Sequence, residues 1–475
     1  MASKDDKYIK GKYAIANYRF KKLKNKVLVT SDSGKWIALS KKDFNSLKSE
    51  KIKLNSNLFN ALEGKGIILT EKSFDKAVDD FRQKNSFLFQ GTSLHIVVVT
   101  LRCNMKCSYC HASSKPVNAK KYDMSKRTAK KVVDFIFQSP SDKIAIEFQG
   151  GEPLLNFGVV KFIVDYANKI NKAHCKELRF DLVTNLSLMN EKVLAYFIKN
   201  KIGVCTSLDG PEKIHNFNRK FISGKGSYAQ TAKWIKETNR RLKNKKVNAL
   251  VTVTKNQLKH SKIIADEYCK KGIEIIHLRP LNNLGYAKDA WEDIGYSSDE
   301  FINFWKKAVD YILELNKKGK NIKERTVLIM LHKILLNSDP GYLDLRSPCG
   351  AAIGQLVYHY NGDIYSCDEG RMIGDDLFKL GNASKNNYRE VLTSTQTCSI
   401  ITASVNDSFI CNNCVYKPYC GLCPVCSYAE HGSIISKVPE TSRCKILKAQ
   451  FDYVFDKMVY DKRAKEVFLN WIKTK

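Results

Sequence analysis

Between residues 94 and 280, six apolar segments of strand length alternate with helical segments, and this alternation limits the possible folds more than any other feature. The strand candidates are "LHIVVVTL", "IAIEFQG", "LRFDLVTN", "IGVCTSLDG", "VNALVTVT" and "IEIIHLRP". The helical stretches are Ser125 to Gln138, Gly158 to Lys172, Asn190 to Asn200, Ser227 to Lys243 and Ser261 to Lys271. Such repeats predict a parallel sheet with right-handed crossovers, either doubly wound or curved into a partial barrel.

Polar and cysteine-containing segments follow the first four strand candidates. A cysteine motif follows the first strand, "GGEP" follows the second, "TN" closes the third and "SLDG" follows the fourth. In both architectures, ligands bind at the carboxyl ends of the parallel strands. The sequence therefore predicts that residues 94–280 build one active site at that edge of the sheet.

The cysteine motif, "LRCNMKCSYCHA", contains three thiols, at Cys103, Cys107 and Cys110. A structural zinc site is closed by four ligands, and no fourth cysteine lies nearby. A [4Fe–4S] cluster that is held by three thiolates leaves one iron open. That iron can bind a cofactor through an amine and a carboxylate, so the motif predicts a cofactor-binding cluster.

In its spacing, its place after the first strand and its Tyr109, this motif resembles the signature of the radical S-adenosylmethionine (SAM) superfamily. The resemblance implies a partial (β/α)6 barrel, a [4Fe–4S] cluster that binds SAM, and hydrogen abstraction by a 5′-deoxyadenosyl radical. It also implies that Gly150, Gly151 and Glu152 hold the SAM amine. Glycines let a backbone approach closely, and a carboxylate pairs with an ammonium group.

The same resemblance implies further cofactor-binding residues at the ends of the third and fourth strands. Thr184 and Asn185 occupy the place where relatives have polar contacts to SAM. The stretch "TSLDGPEKIHNFNRKF" resembles a family segment and contains Ser207, Asp209 and Arg219. Arg219 suits the SAM carboxylate because a guanidinium can form two parallel hydrogen bonds. Helix capping or a surface ion pair is the alternative role for each of these residues.

The cysteines of the C-terminal region form a second pattern: Cys349, Cys367, Cys411, Cys414, Cys420, Cys423, Cys426 and Cys444. Their order resembles the SPASM extension of peptide-modifying radical SAM enzymes, which implies two auxiliary [4Fe–4S] clusters. By analogy, the nearer cluster takes Cys349, Cys367 and either Cys423 or Cys426, with a fourth thiolate or an open site. The farther cluster takes Cys411, Cys414, Cys420 and Cys444.

The chain departs from the family pattern after Cys420, where the next thiols come after two and five intervening residues instead of three. This departure leaves the choice between Cys423 and Cys426 open. Cys-x2-Cys pairs also suit zinc ribbons, which are the alternative for this region.

Asp368 directly follows Cys367 in "CDEGRM". In sulfatase-maturing relatives, an aspartate at this place is proposed to take a proton from the substrate. The resemblance therefore implies a catalytic role for Asp368, and an exposed acid at the end of a hairpin is the alternative. Glu369 and Arg371 are further candidates for substrate contacts.

The predicted organisation is α/β, with a partial (β/α)6 radical SAM barrel between a small N-terminal α+β module and a cysteine-rich SPASM-type extension. The predicted boundaries are 1–90 for the N-terminal module, 91–285 for the barrel, 286–345 for a helical connector, 346–445 for the extension and 446–475 for a C-terminal helix. Residues 1–90 are a candidate for peptide recognition, by addition of a peptide strand to an open sheet edge.

The charge and the distribution of apolar residues argue against a membrane protein and a secreted protein. The chain of 475 residues has 15 cysteines and a formal charge of +32, spread over many lysines. No run approaches the roughly 18 apolar residues that a transmembrane helix needs, and the N-terminus lacks the apolar core of a signal peptide. We therefore expect a cytoplasmic protein without a membrane partner. A zinc-stapled nucleic-acid-binding protein is a remote alternative, because no recognition module accompanies the charge.

Over most of its length the chain resembles one group of the superfamily, the B-type maturase of His-Xaa-Ser peptide-modification systems. The stretches that carry this resemblance are "YRFKKLKNKVLVTSDSGKW", "TSLDGPEKIHNFNR", "YSCDEGRM" and "YCGLCPV". It implies a ribosomally made precursor peptide as substrate, a companion maturase, and an electron donor such as flavodoxin or ferredoxin. The modification would be an oxidation, a thioether or a carbon–carbon crosslink, and the alternative enzyme is an anaerobic sulfatase-maturing formylglycine synthase.

Overall fold

The computed structural model describes residue 9 and residues 12–242, 246–338, 346–405, 409–435 and 440–473. Lys243, the predicted end of one helix, lies outside the described residues, as do residues 339–345 of the predicted connector and most of the first eleven residues. The predicted fold class is confirmed: a central parallel sheet carries helices and is followed by a cysteine-rich region.

A small α+β unit precedes the central sheet. Its elements are β1 (Ala14–Ile15), β2 (Tyr18–Leu23), β3 (Lys26–Ser31), β4 (Trp36–Ser40), α1 (Lys41–Lys48), α2 (Asn57–Glu63), β5 (Ile68–Leu69) and α3 (Glu71–Asn85). The alternating segment "NKVLVTSDSGKWIALS" predicts a hairpin around its Ser-Asp-Ser-Gly turn. The structure confirms this hairpin as β3 and β4, which pair antiparallel. Together with β2 they form a three-stranded sheet in the order β2-β3-β4, and a separate small core lies beneath it.

The strands of the central domain are β6 (Leu94–Thr100), β7 (Met105–Cys107), β8 (Lys143–Gly150), β9 (Glu177–Val183), β10 (Gly203–Ser207), β11 (Arg219–Phe221), β12 (Asn248–Thr252) and β13 (Ile275–Arg279). Six of them form one parallel series in the order β13-β12-β10-β9-β8-β6. Val97 and Val99 belong to the main core, whereas Ile96 and Val98 belong to a second buried cluster. β6 is therefore apolar on both faces, as a covered parallel sheet requires.

Helices connect these strands: α4 (Lys126–Ile136), α5 (Phe157–His174), α6 (Glu191–Lys199), α7 (Glu212–Asn218), α8 (Tyr228–Arg241) and α9 (Ser261–Lys270). The next elements are α10 (Tyr286–Asp289), α11 (Trp291–Ile294), α12 (Ser298–Lys317), β14 (Lys323–Glu324) and α13 (Arg325–Leu336). The sequence Ser297-x-x-Glu300 predicts a capping box at the start of α12, and the structure confirms it. The Glu300 N–H donates to Ser297 Oγ (3.3 Å), and the Ser297 N–H donates to Glu300 Oε2 (2.8 Å).

The C-terminal elements are β15 (Gln355–Tyr358), β16 (Asp363–Tyr365), α14 (Asp368–Ile373), β17 (Lys379–Asn382), α15 (Tyr388–Leu392), α16 (Thr395–Ser404), α17 (Phe409–Asn412), α18 (Pro424–His431), α19 (Ser442–Tyr460) and α20 (Lys462–Lys473). The segment "LVYHYNGDIYSC" predicts a hairpin around its Asn-Gly turn, and the structure confirms it as β15 and β16. The sequence did not predict that β15 also pairs parallel with β6. This pairing extends the central sheet into the cysteine-rich region, to a total of ten strands among the described residues.

Helix α19 contacts both helix α12 and the N-terminal unit. Trp305 of α12 and Tyr453 of α19 pack edge to face, with ring centroids 5.4 Å apart. Trp36 of the N-terminal sheet packs in the same way on Phe455, at 5.2 Å. The N-terminal unit is therefore attached to the C-terminal region through aromatic contacts. Among the described residues, no helix is both long and apolar enough to cross a bilayer.

Candidate active site

A two-stranded antiparallel ribbon, which the sequence did not predict, anchors the three-cysteine loop. β7 pairs with β11, so that Cys107 lies opposite Arg219 and Met105 lies opposite Phe221. The backbone N–H of Ser108 also donates to the carbonyl of Asn218 (3.0 Å). The ribbon thus brings the segment after the fourth parallel strand against the loop that follows the first strand.

Tyr109, Asp209 and Arg219 form a buried network behind this ribbon. The Tyr109 hydroxyl donates to Asp209 (2.8 Å to Oδ2) and accepts a hydrogen bond from Arg219 Nη1 (2.9 Å). Burial raises the pKa of Asp209 to about 6, while the Arg219 charge and the Tyr109 hydrogen bond act in the opposite direction. The structure thus shows that Arg219 binds the Tyr109 hydroxyl. The predicted contact of Arg219 with the SAM carboxylate stays a prediction.

Three residues that the sequence analysis did not select hold Asp209 in place. Asn218 Nδ2 donates to Asp209 Oδ2 (3.3 Å), and Gln257 Nε2 donates to the Asp209 carbonyl (2.9 Å). The Asp209 N–H donates to His215 Nδ1 (3.3 Å). His215 and Asn218 lie within the quoted "SLDGPEKIHNFNR" stretch, so the resemblance of that stretch to the family segment could have identified them. Gln257 belongs to a different strand–helix connection, and no motif in the sequence points to it.

Gly150 and Gly151 bring the end of the second parallel strand against the cysteine loop. A Cβ on Gly151 would lie 2.3 Å from the Arg102 carbonyl oxygen and 2.5 Å from that of Leu101. Gly150 has a φ of +153°, and a Cβ there would lie 2.0 Å from the Thr100 carbonyl oxygen. Both positions therefore require glycine, because their backbone packs closely on the segment that leads into Cys103.

Glu152 joins the ends of the second and third strands. Its Oε1 accepts hydrogen bonds from Thr184 Oγ1 (2.7 Å) and the Leu154 N–H (3.0 Å), and its Oε2 accepts one from the Asn185 N–H (2.8 Å). The side chain is fully buried, which raises its pKa, while these hydrogen bonds act in the opposite direction. Much of the hydrogen-bonding capacity of Glu152 is thus used within the protein.

Asn185 lies beside the first cysteine. Its Nδ2 lies 3.9 Å from Cys103 Sγ and donates to Asn104 Oδ1 (3.0 Å), while Asn104 Nδ2 donates to Ser187 Oγ (2.8 Å). Ser207 lies half-buried at the carboxyl end of β10. The structure therefore brings Thr184 and Asn185 to the cysteine loop, as the strand pattern predicted, and adds Asn104 and Ser187 to that neighbourhood.

The thiols of this loop fit a cationic cofactor. Burial raises the pKa of Cys103 to about 12 and that of Cys107 to about 11, while the Arg219 charge acts to lower the latter. Metal ligation requires the thiolate, and a buried thiolate is stable only beside compensating positive charge. The Met105 N–H already points at Cys103 Sγ (3.4 Å). An iron–sulfur core would supply the positive charge that the described residues supply only in part.

Asp368 lies at the first position of α14 and is half-buried. Its Oδ1 accepts a hydrogen bond from Arg371 Nε (2.9 Å). Burial raises the pKa of Glu147 on β8, and the negative charge of Asp368 contributes to that rise. The neighbouring Glu369 pairs with Arg279 at the end of β13 (3.3 Å). The "CDEGRM" segment therefore meets the parallel strands near the edge that carries the cysteine loop.

The C-terminal cysteines lie together around the starts of two helices. The Gly370 N–H donates to Cys367 Sγ (3.3 Å), and the Cys426 N–H donates to Cys423 Sγ (3.4 Å). One cavity is lined by six cysteines: Cys411, Cys414, Cys420, Cys423, Cys426 and Cys444. Within the described part of the chain, no three His, Cys, Asp or Glu side chains are grouped tightly enough for one metal ion. Clusters of four irons space their thiolates more widely, so this finding concerns mononuclear sites.

Comparisons with known proteins agree with this arrangement. Residues 97–261 match the model of the radical SAM superfamily. The cysteine-type anaerobic sulfatase-maturating enzyme of Clostridium perfringens (strain ATCC 13124) is 25% identical over 378 residues, which is 77% of this chain and 97% of that protein.

Two solved structures have similar folds. Native anSMEcpe with bound AdoMet superposes with a TM-score of 0.69 at 22% identity, and the match covers 80% of this chain and 99% of that chain. SuiB of Streptococcus suis bound to its precursor peptide SuiA superposes with a TM-score of 0.54 at 13% identity, over 89% of this chain and 98% of that chain.

Proposed function

This chain is an enzyme of the radical SAM superfamily, and we propose that it modifies a ribosomally made peptide. The observation that carries the proposal is a three-stranded N-terminal unit with an open edge, attached to the cysteine-rich region through Trp36 and Phe455. The fold similarity to peptide-bound SuiB extends over 89% of the chain, whereas the similarity to anSMEcpe covers 80%.

We assign Cys103, Cys107 and Cys110 to a [4Fe–4S] cluster that binds SAM, and the remaining cysteine groups to two auxiliary clusters. When bound, these groups supply a 5′-deoxyadenosyl radical, which removes a hydrogen atom from the substrate, and acceptors for the electron that remains. The protein provides the orientation. The backbone of Gly150 and Gly151 lies close to the cysteine loop, which supports their assignment to the SAM amine.

The remaining predicted residues fall into two groups by their contacts. Thr184, Asn185 and Glu152 form one hydrogen-bonded set beside Cys103, and in this proposal they shape the side of the site that receives SAM. Tyr109, Asp209 and Arg219 form the other set, beside Cys107, and they hold the loop and its charge. Ser207, at the end of β10, contributes a hydroxyl to the same edge.

Asp368 is the proposed base for the substrate proton. Its carboxylate is held by Arg371 and lies where its charge reaches Glu147 and His111, near the loop of the third cysteine. A carboxylate in that position can accept the proton that a substrate carbon, nitrogen or sulfur loses as it is oxidised. Glu369, paired with Arg279, lies beside it as a candidate substrate contact.

Within the peptide-modifying enzymes, the proposal places this chain nearest the B-type maturases of His-Xaa-Ser systems. A companion maturase and an electron donor of the flavodoxin or ferredoxin kind belong to the same proposal. The quoted stretches of the sequence support this placement, and "YSCDEGRM" contains Asp368.

The proposed peptide site in the N-terminal unit is the free edge of β4. Among the described residues, β4 pairs only with β3. The Ser31 N–H donates to the Lys35 carbonyl (2.9 Å), which makes these two residues a hydrogen-bonded pair. Because such pairs alternate in an antiparallel ladder, the backbone groups of Trp36, Ala38 and Ser40 point away from β3. A peptide strand can pair with those groups.

The radical chemistry is tested by anaerobic reconstitution with iron and sulfide, followed by reduction in the presence of SAM. We expect about twelve irons per chain, from three clusters of four, and release of 5′-deoxyadenosine. Cys107→Ala should lose about four irons and all release, while Cys175→Ala, at an exposed cysteine, should lose neither. Release with about four irons in the unmodified chain would remove the auxiliary clusters from the proposal, and no release would contradict it.

The peptide site is tested by Ala38→Pro and its matched control Ala38→Ser. Proline at position 38 removes the backbone N–H that points away from β3 and leaves every hydrogen bond between β3 and β4 in place. Edge strands tolerate proline at such positions. We expect Ala38→Pro to weaken binding of precursor peptides encoded beside the gene at least tenfold, and Ala38→Ser to leave binding unchanged. Equal binding by both variants, or by a chain that lacks residues 1–85, would rule the edge out.

A second candidate function is sulfatase maturation, which the 25% identity to a sulfatase-maturating enzyme over 77% of the chain favours. In that case a sulfatase-derived peptide that contains a cysteine would be converted to the formylglycine product. Mass spectrometry of this peptide, with an alanine-substituted peptide as the control, separates the two functions. If the chain forms formylglycine in the sulfatase-derived peptide and does not modify the precursor peptide, sulfatase maturation is its function.

A further inference from the structure

We infer that the outer side of the β7–β11 ribbon is the docking surface for a small acidic protein that donates one electron to the proposed SAM-binding cluster. The inference rests on the proposed function, because it presumes that cluster. It gives the expected electron donor a defined place on the chain. This surface, the ribbon face, consists of Lys106, Lys220 and Ile222, with Phe217 beside it.

The ribbon carries two lysines directly opposite each other on its exposed side. In the register of β7 and β11, Lys106 lies opposite Lys220, one residue from the pair of Cys107 and Arg219. Successive side chains of a strand point to opposite sides. Met105 and Arg219 are buried, whereas both lysines are exposed. The lysines therefore form the outer side of the ribbon, and its inner side carries a cluster ligand.

The positive charge of the ribbon face has no counterpart in the neighbouring segments. In the described part of the chain, neither Lys106 nor Lys220 forms an ion pair with a carboxylate. Residues 102–122 contain five lysine or arginine side chains and residues 213–227 contain four, and neither segment contains an aspartate or a glutamate. Like charges directly opposite each other destabilise a ribbon. An acidic partner would relieve this repulsion.

Two basic residues next to the cysteine-rich region are paired instead. Arg19 donates to the Asn412 carbonyl (2.6 Å) and forms an ion pair with Asp32 (2.5 Å). Lys21 forms an ion pair with Asp452. The charges of these two residues are thus compensated within the chain, whereas those of the ribbon face are available to a partner.

Apolar side chains accompany the lysines on a surface that is already ordered. Ile222, two residues after Lys220, is 56% exposed, and Phe217 at the end of α7 is 54% exposed. The buried Ser227 Oγ donates to the Arg219 carbonyl (2.8 Å), which fixes the turn that follows β11. Apolar contacts surrounded by charges are typical of protein interfaces, and an ordered surface loses little entropy on binding.

The partner that fits this surface is a small redox protein with carboxylates around a one-electron cofactor. Lysines steer such a partner into place and set its orientation. When the donor is a flavodoxin, its anionic flavin hydroquinone loses one electron and becomes the neutral semiquinone. That electron passes to the cluster, and no bond or proton is transferred. The path is short, because Lys106 directly precedes Cys107.

The first measurement is binding of oxidised flavodoxin to the reconstituted full chain at low salt. Lys106→Glu creates an opposite-charge pair with Lys220 and should therefore not weaken the ribbon. Lys169→Glu, at an exposed position of α5, makes the same change in net charge and is the control. We expect Lys106→Glu to weaken binding at least tenfold and Lys169→Glu to weaken it less than about twofold. The difference should disappear at about 1 M salt, where charges are screened over roughly 3 Å.

The second measurement is reduction of the cluster, followed by stopped-flow absorbance. Reduction by flavodoxin hydroquinone should slow in Lys106→Glu in proportion to the lost affinity. Excess dithionite needs no docking, so release of 5′-deoxyadenosine with dithionite should be the same in Lys106→Glu and in the unmodified chain. If Lys106→Glu fails to fold, Lys220→Glu makes the same cross-strand pair in the opposite order.

Each contrary outcome has a definite meaning. Equal flavodoxin binding by Lys106→Glu and Lys169→Glu, or no binding by the unmodified chain, would overturn the inference. Loss of dithionite-driven release in Lys106→Glu would do the same, because it would show damage to the cysteine loop. Weaker binding of the precursor peptide with unchanged flavodoxin binding would assign the ribbon face to the peptide. If Lys106→Glu weakens flavodoxin binding but the unmodified chain releases no 5′-deoxyadenosine with dithionite, the docking surface stands and the proposed function fails.

Discussion

Arg219 lies directly opposite Cys107 in the antiparallel ribbon of β7 and β11, and its charge acts to lower the pKa of that thiol. A positive charge beside a cluster ligand stabilises the reduced, more negative state of the cluster. We expect Arg219→Met to shift the midpoint potential of the proposed SAM-binding cluster by roughly 50 mV to more negative values. Release of 5′-deoxyadenosine should fall severalfold, because reduction becomes harder.

The measurement is redox titration followed by electron paramagnetic resonance (EPR), with Arg82→Met as the control. Arg82 is exposed and lies in the N-terminal unit, so its removal should leave the potential unchanged. Arg219→Lys keeps the charge and should recover most of the potential but not the hydrogen bond to Tyr109. A potential that is identical in Arg219→Met and the unmodified chain would show that Arg219 only supports the loop.

Gly151 and Gly158 offer a matched pair of glycine-to-alanine changes. A Cβ at position 151 would meet the Arg102 carbonyl oxygen at 2.3 Å, so the backbone before Cys103 must move. At position 158, near the start of α5, nothing lies within 4 Å. We expect Gly151→Ala to reduce SAM affinity at least tenfold and to lower cluster occupancy, whereas Gly158→Ala should raise the free energy of unfolding by up to about 1 kcal/mol. Equal SAM binding in both variants would contradict the assigned role of the glycine pair.

Asp368→Asn separates SAM cleavage from peptide modification. The amide keeps the shape of the side chain but cannot take a proton, so product formation should fall about 10²-fold or more while release of 5′-deoxyadenosine continues. Product is measured by mass spectrometry and release by chromatography on the same samples. Asp376→Asn changes an exposed aspartate beyond the end of α14 and should affect neither. Parallel loss of both activities in Asp368→Asn would point to a structural role, through Arg371.

Glu324 predicts a pH dependence of stability. It caps α13 from a fully buried position, and burial raises its pKa to about 7, against which the Val327 N–H (2.8 Å) acts. Between pH 4.3, the approximate pKa of a glutamate in the unfolded chain, and pH 7, Glu324 binds more protons in the folded state than in the unfolded state. The stabilising contribution of its protonated form is therefore complete at low pH and is lost as the pH rises through 7. The unfolding free energy of the parent relative to Glu324→Gln should therefore fall by about 3 kcal/mol between pH 5 and 8. Urea titrations at several pH values check this, and a constant or rising difference would be the contrary result.

The parallel strands could be predicted from the sequence because each is apolar over its whole length. "LHIVVVTL" predicts β6 (Leu94–Thr100) to within a residue, and "IAIEFQG" predicts β8 (Lys143–Gly150) almost as closely. The position of the site at one edge of the sheet could be predicted from the residues at which these strands end. The β7–β11 ribbon escaped prediction because each of its strands has three residues, too few for a period, and the partners are over a hundred residues apart.

Pairing between distant segments accounts for the other differences. β15 is short and apolar, and nothing in its residues shows that its partner is β6 rather than only β16. For Arg219, the sequence predicted a guanidinium that binds a cofactor carboxylate. The structure adds a hydrogen bond from this guanidinium to the Tyr109 hydroxyl, more than a hundred residues away in the sequence. The sequence also left the choice between Cys423 and Cys426 open, and both thiols line the same six-cysteine cavity.

Because β15 continues the central sheet beside β6, the cysteine-rich region cannot swing away from the central domain without breaking a ladder of backbone hydrogen bonds. This ladder opposes a hinge motion between the two regions. In the proposed enzyme, it would keep the distance between the metal centres, and so the path length for electron transfer, nearly the same throughout the reaction.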